Sequence, residues 1–585
     1  PIAALYFNYK QDEEFFEVIN DRERSGKIKL RRSFKVENGH LIQIDSPEGI
    51  FRRTETGWEK LDADSEIAAH RSRGIHAKEK SLPSILSLIT KDQFEMITTD
   101  PERPVIIQGS AGSGKTTVAL HRLAWLLHEN NSTVKSENTR VIVMNKSLAV
   151  YVSATLPSMG IDDVQTTTFN SWALSIIRKS MRTQPFFKFL TIPSFVEEIK
   201  FSEEILKALD GLVEKQGKAL DEKIKKEFSS RTAHLEGWAK GKGKPILPRL
   251  RDFRHEVKNS KLPEAEKQQK LGLVKKQIAN QEDYLQDLYN LLSDTEHLKK
   301  YLKRDTKLAS NLEYLKRLTD KNRLKKNLDY FDMSLVLRFI QIKNGGLPDG
   351  DGGTVLLDHI VIDEAQDFGP VEFAIMMDAV RDKHQVTIVG DVAQKILFAR
   401  KFIGWKKVVE YLGLDEDSII QLEVSFRCTV PIMTLAYKVA GDPKTVEGRA
   451  GPAPDWKKVG NFVDLTEALA DWSRGLLRAD PYKLVALICR YPKQAMELKE
   501  EMENYLPGEV RLGHRDQFSF EPGVLVTNIH QVKGLEFDSV ALVEPDEENY
   551  PKKREESRNM IYVGITRTQE DLLLATIRPY SSVLF

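Results

Sequence analysis

Eight consecutive residues, Gly109, Ser110, Ala111, Gly112, Ser113, Gly114, Lys115 and Thr116, have the types and spacing that hold a triphosphate. They fill the pattern of Gly, four residues, Gly, Lys, then Ser or Thr. Glycines let backbone N–H groups approach phosphate oxygens, and a helix starting at the loop adds positive potential. Lys115 is predicted to reach the β and γ phosphates and Thr116 to ligate Mg²⁺, with Thr117 counted among the nucleotide-binding residues. The chemistry is hydrolysis of a nucleoside triphosphate, read as ATP with Mg²⁺.

A second string, DEAQD (Asp363–Asp367), follows an apolar run. Asp363 is expected to hold Mg²⁺ and Glu364 to position and deprotonate the attacking water, because phosphoryl transfer needs alignment and charge neutralisation. An acidic pair after a strand is also a common helix N-cap. Beside a phosphate loop, catalysis is the leading reading.

These groups need elements to present them. Val105–Gln108, Val141–Met144, His359–Asp363 and Val386–Asp391 read as buried parallel strands with polar residues at their C-terminal ends, where open α/β sheets place ligands. Leu484–Cys489, Gly523–Asn528, Ser539–Glu544 and Asp571–Thr576 form a second such set. The predicted fold is α/β, with two RecA-like P-loop NTPase domains, a large helical insertion and a small β-rich N-terminal unit. Its divisions are 1–88 for the β-rich unit, 89–173 with 332–427 for the first RecA-like domain, 174–331 for the insertion and 428–585 for the second domain. Within the insertion, Leu273, Ile278, Tyr284, Leu285 and Leu288 suggest one apolar stripe of an antiparallel arm or bundle.

Apolar content of 41% and charged content of 30% describe a globular chain with a charged surface. The net charge of +1 conceals an asymmetry: residues 211–330 hold 29 basic against 18 acidic residues. Such a segment faces phosphates or an acidic partner, or is the solvated face of long helices. Cys428 and Cys489 alone rule out a disulfide scaffold and a cysteine-rich zinc site. With no long apolar run, the expectation is a cytoplasmic protein without a membrane association.

GSAGSGKTTVALHRLAWLL, DEAQD, VGDVAQKI, SFR, VKGLEFD and RNMIYVGITRT, in this order over about 90 to 570, resemble the motifs of UvrD/Rep-type superfamily-one helicases. The resemblance implies adenine recognition by Gln93, with Arg122 and Phe426 against the base. It implies that Gln394 senses the γ-phosphate and that Arg427 and Arg567 stabilise transition-state charge, making these two and Gln394 catalytic alongside Lys115 and Glu364. Glu536 would bind the ribose or an adjoining arm of the site. For nucleic acid, the implied contacts are Thr168, Phe169 and Asn170 in TTTFNSW, and His530, for which a structural hydrogen bond is an equal alternative.

The chain also departs from unwinding members of that family. VMNKSLAV puts Asn145 where an aromatic ring is usual, and stacking there contributes roughly 1–3 kcal/mol per base. Phe398 and Trp405, two of the rings that follow Gln394, read better as core. Only about 30 residues separate Arg490 from Glu521, where unwinding members carry a large inserted domain. These departures, with PIAALYFN, RRSFKVENGHLIQI and NLDYFDMSLVLRFI, are similar to the HelD branch, which resembles helicase IV and associates with bacterial RNA polymerase. The branch carries an N-terminal coiled-coil arm before the PIA segment that this chain does not show, so that arm is expected to have been trimmed or its function to be absent. Three readings follow: a HelD-like ATPase that remodels polymerase, a 3′-to-5′ DNA helicase or translocase, and a disfavoured slow nucleotide-gated switch.

Overall fold

The computed structural model describes residues 11–19, 22–30, 32–37, 40–46, 49–54, 57–61, 91–109, 113–181, 184–188, 190, 192–229, 231–302, 307–325, 327–391, 404–422, 428–441, 443, 445–446, 449–514 and 518–585. The segment PIAALYFN, Ser110, Ala111, Gly112, Gln394, Phe398, Phe426 and Arg427 lie outside these residues.

The N-terminal unit is β-rich: β1 (Glu14–Ile19) pairs antiparallel with β2 (Arg22–Lys27). A separate antiparallel meander joins β3 (Ser33–Glu37), β4 (His40–Ser46), β5 (Gly49–Thr54) and β6 (Gly57–Leu61).

The first large sheet contains β7 (Val105–Gly109), β8 (Thr139–Val143) and β9 (Gln165–Thr168) before the insertion. Two short pairs follow, β10 (Phe187–Lys188) with β11 (Leu328–Asp329) and β12 (Leu347–Pro348) with β13 (Thr354–Val355). After them β14 (His359–Ile362), β15 (Val386–Gly390) and β16 (Ile419–Leu422) complete a six-stranded sheet ordered β16-β7-β15-β14-β8-β9. Every pairing in it is parallel. Strand side chains alternate between faces, so the apolar runs serve two cores at once. Ile106, Ile142, Ile360, Ile362 and Ile388 face one core, whereas Val105, Ile107, Val141, Val143, Val361 and Val389 face another.

The second sheet gathers β17 (Asp455–Lys458), β18 (Leu484–Cys489), β19 (Val510–Leu512), β20 (Gly523–Asn528), β21 (Phe537–Val543) and β22 (Thr568–Thr576). Its order is β17-β22-β21-β18-β20-β19, again all parallel. Leu484, Ala486, Ile488, Val540 and Leu542 share an apolar cluster with Val105, Val141 and Val389 of the first sheet. The opposite face packs Val485, Leu487, Val524 and Val526 under helices Phe462–Ala479 and Pro492–Met502. Each fully buried Val, Leu or Ile contributes about 1.5–3 kcal/mol, so the shared cluster is a substantial junction between the domains.

The insertion is helical, with a refinement. Ile205, Leu209, Tyr284, Leu288 and Leu292 enter the same cluster as the first sheet's isoleucines, so the proximal insertion is a packed layer of that domain. Farther out, Leu220, Phe228, Trp238, Phe253 and Val274 form a small core of their own. The expected stripe spans two helices, Glu264–Gln281 and Tyr284–Ser293, because Asp283 caps the second. Val274 is fully buried in the first of them, whereas Leu273 and Ile278 are half-buried. At the root, Lys200 Nζ donates to Asp329 and Asp332 at 2.6 Å each, with all three buried. Lys343 reaches Asp287 at 2.6 Å nearby. Breaking one partner of such a buried pair typically costs about 3–5 kcal/mol, which fixes the insertion's base to the ATPase core. Among the described residues no helix is long and apolar enough to cross a membrane.

Candidate ATP site between the two sheets

Gly109 ends β7, where a Cβ would lie 2.6 Å from Ser113 Oγ and 2.7 Å from the Leu422 carbonyl. Gly114 has φ 83°, a conformation L side chains rarely adopt, and helix Lys115–Leu126 begins immediately after it. Lys115 Nζ donates to the Gly109 carbonyl at 2.9 Å. Ser113 Oγ is buried without a hydrogen-bond partner inside the loop. Gln93 Nε2 donates to the Ser113 carbonyl at 3.4 Å, which sets Gln93 against the phosphate loop.

β14 brings the acidic pair to the same place. Thr116 Oγ1 donates to Asp363 Oδ2 at 3.0 Å, joining residues 247 positions apart in sequence. Glu364 follows in the left-handed region, φ 54° and ψ 44°, a strained conformation for a non-glycine residue at about 1–3 kcal/mol. Its backbone N–H donates to Asp363 Oδ1 at 2.8 Å, and its Oε2 accepts from Gln366 Nε2 at 2.5 Å. Gln366 Oε1 accepts from Asp391 N at 2.8 Å, tying the acidic turn to the end of β15.

The second sheet supplies the counter-charges. Lys533, buried, ion-pairs with Asp367 and lies 3.6 Å from Glu364 Oε2. Arg567, also buried, donates to the carbonyls of Val563 at 3.1 Å and Leu535 at 3.2 Å. Burial would raise the Glu364 carboxyl, but the charges of Lys533, Lys115 and Arg567 outweigh it and hold the group below the ordinary range. Burial, then the charge of Glu364, pushes Asp363 up to about 7 against hydrogen bonds from Thr116 and Glu364 N.

A hydroxyl and a carboxylate in contact, Thr116 and Asp363, are the hard oxygen donors Mg²⁺ prefers. Among the described residues no group of three or more His, Cys, Asp or Glu could hold a metal unaided. The donor set therefore fits Mg²⁺ completed by phosphate oxygens and water. The orphaned Ser113 hydroxyl and the Lys115 ammonium fit a polyphosphate.

Other expected site residues are placed differently. Arg122 is fully buried, and its guanidinium donates to the carbonyls of Met96, Ile97, Thr99, Asp100 and Arg103. This corrects its assignment to the adenine, because at 0% exposure the guanidinium is enclosed by the protein and has no face open to a base. Thr168 is the N-cap of helix Phe169–Ser180, its Oγ1 accepting from Ser171 N. Phe169 is core, packed against Trp172 and Phe368. Asn170 is half-buried in the first turn of that helix, Thr117 is half-buried beside Thr116, and Trp405 is buried in the first core. Glu536 accepts from Gln569 Nε2 at 3.2 Å. His530 is exposed, and its Nε2 accepts from Arg490 at 3.1 Å, the structural hydrogen bond of the two alternatives.

Sequence reasoning gave no role to Lys533 or Gln366, although both stand in strings it singled out. Nothing in a sequence separates a buried lysine between two carboxylates from a solvated one. Asn145 was read only as a missing ring. It caps helix Lys146–Thr155 through Leu148 N at 2.7 Å, and its Nδ2 donates to the Lys533 carbonyl at 3.1 Å. Ser147 Oγ adds a bond to Gln531 Oε1 at 2.9 Å.

Two parallel sheets, a phosphate loop at the end of one and basic residues from the other facing its acidic turn, define a two-domain P-loop ATPase. Residues 89–400 match the UvrD/REP helicase N-terminal domain and residues 482–579 the UvrD-like helicase C-terminal domain. The chain belongs to the UvrD/REP helicase family, and is an ATP-hydrolysing helicase-type enzyme. No curated protein matches it. Among solved structures, the C-terminal domain of a possible DNA helicase from Lactobacillus plantarum WCFS1 is 24% identical, covering 28% of this chain and 92% of that one. The TM-score between the two is 0.24.

Proposed function

We propose that this ATP-dependent nucleic-acid motor is a HelD-like factor that remodels or recycles RNA polymerase. The reading is supported by the resemblance of its distinctive strings to that branch and by the short second domain. The observation that carries it is the insertion's root, where the buried Lys200, Asp329 and Asp332 join a basic helical segment to the ATPase core. A segment anchored in this way moves with the domain that binds ATP.

At the site, Lys115 and the loop N–H groups hold the triphosphate, Gln93 reads adenine and Glu536 takes the ribose. Thr116 and Asp363 hold Mg²⁺, which when bound neutralises phosphate charge. Glu364, kept ionised by its basic neighbours, orients the attacking water and accepts its proton. Arg427 and Arg567 stabilise the transferring group and Gln394 senses it. Closure brings Arg567 and Lys533 to the acidic turn, so hydrolysis is coupled to domain position.

The basic insertion also favours a second reading, a 3′-to-5′ DNA helicase or translocase acting on single strands. Comparing ATPase stimulation by RNA polymerase with stimulation by single-stranded DNA separates the two. Strong polymerase stimulation with a weak DNA response is expected. A strong, steeply salt-dependent DNA response without a polymerase effect would reject the polymerase reading.

A further inference from the structure

β9 is the outermost strand of the first sheet, and among the described residues no strand pairs with its outer edge. A cleft of ≈ 540 Å³ runs along that edge, lined by β9, by Ser153 and Leu156 on one side and by Ser171, Trp172 and Ser175 on the other. The parallel register pairs Arg140 of β8 with Gln165 and Val141 with Thr166, so the cleft straddles the edge and draws on both faces. On one face Arg140 lies over the Trp172 ring, 5.4 Å from its centroid. On the other, Leu156, Ile161 and Val164 form an apolar wall.

Arg140 Nε is buried without a hydrogen-bond partner, and no ion pair to this guanidinium forms among the described residues. Burial lowers its pKa with no neighbouring acid to offset the effect. Thr166 Oγ1, also lining the cleft, is similarly buried and unpartnered. A desolvated cation above an indole, beside an open strand edge, is complementary to a carboxylate carried on an extended chain.

We propose that β9 is a docking edge for an extended acidic polypeptide of a partner protein, which adds a strand there with acidic side chains toward Arg140 and apolar ones toward Leu156, Ile161 and Val164. Main-chain hydrogen bonds to the strand edge supply affinity, and the two dissimilar walls supply the alternation rule. A polynucleotide fits less well, because it needs repeated cationic contacts. Arg140 is the one basic residue lining the cleft, and Asp162 also lines it. This surface is separate from the ATP site, so its failure leaves the motor reading intact.

The test titrates the full chain into a fluorescein-labelled octapeptide alternating Glu and Val, and separately into labelled oligo-dT. Arg140→Gln is expected to weaken peptide binding about tenfold, the effect of losing a charge-assisted hydrogen bond. Ser153→Trp, on an exposed helix position, fills the cleft and is expected to abolish binding while ATPase activity persists. Amides of residues 165–168 should exchange more slowly in the complex. The proposal is overturned by absent peptide binding, by equal binding of the Lys-for-Glu peptide, by unchanged affinity in both variants, or by Arg140→Gln impairing oligo-dT binding alone.

Discussion

The half of the cleft built on the first sheet and the half built on the second carry opposite inventories. The first presents a loop with an orphaned hydroxyl, a lysine on a backbone carbonyl, and two carboxylates at the end of β14. The second presents Lys533 and Arg567, buried cations without a phosphate cradle. In the proposed mechanism, phosphate capture belongs to the first domain, while the electrostatic conditions for hydrolysis depend on both. In that proposal, domain closure is part of the chemistry.

The division fails most visibly if substitutions on the two sides have equal consequences for binding. Lys115→Ala and Glu364→Gln should abolish steady-state ATP hydrolysis, with Glu364→Gln retaining ATP affinity; near-normal turnover in either would remove the assignment. Arg567→Ala should lower kcat by about 10²–10³ with a small change in nucleotide Kd, as for loss of one transition-state donor. An equal rise in Kd would place Arg567 with capture instead. Lys533→Ala leaves Asp367 without the cation it pairs with, so the domains should part, read as a larger radius of gyration in X-ray scattering.

Acid should strain the first half in particular. His359 is fully buried beside Thr387, and burial, then the charge of Arg122, pushes it down to about 3 from 6.5. The unfolded chain takes up the proton that the folded one refuses, so stability is present above pH 6.5 and lost as pH falls toward 3. His359→Gln should flatten that acid limb of the unfolding free energy, measured by denaturant titration against pH, by on the order of a few kcal/mol. The smallest expected effect is Asn145→Ala, which removes a helix cap and a contact across the cleft, at about 1 kcal/mol in denaturant unfolding.

Legibility in the sequence followed burial. The central four strands of each sheet, β7, β8, β14 and β15, then β18, β20, β21 and β22, are apolar runs because both faces are covered. The outermost strands, β9, β16, β17 and β19, read QTTT, IIQL, DWKK and VRL and gave no strand signal. An edge strand owes its place to its neighbour, which no local pattern encodes. The phosphate loop was legible as a spaced pattern of Gly109, Gly114, Lys115 and Thr116, and the acidic turn as two carboxylates that end an apolar run. Arg122 was misread because a motif fixes where a residue stands in the chain, whereas burial decides which groups its side chain meets.

The seclusion of Lys533, at 2% exposure, has a practical corollary. Its amine is shielded from aqueous acylating reagents while the sheets are apposed and becomes reactive when they separate. The extent of its labelling, followed by peptide mass mapping through a catalytic cycle, would therefore serve as a built-in clock for how long this motor dwells open.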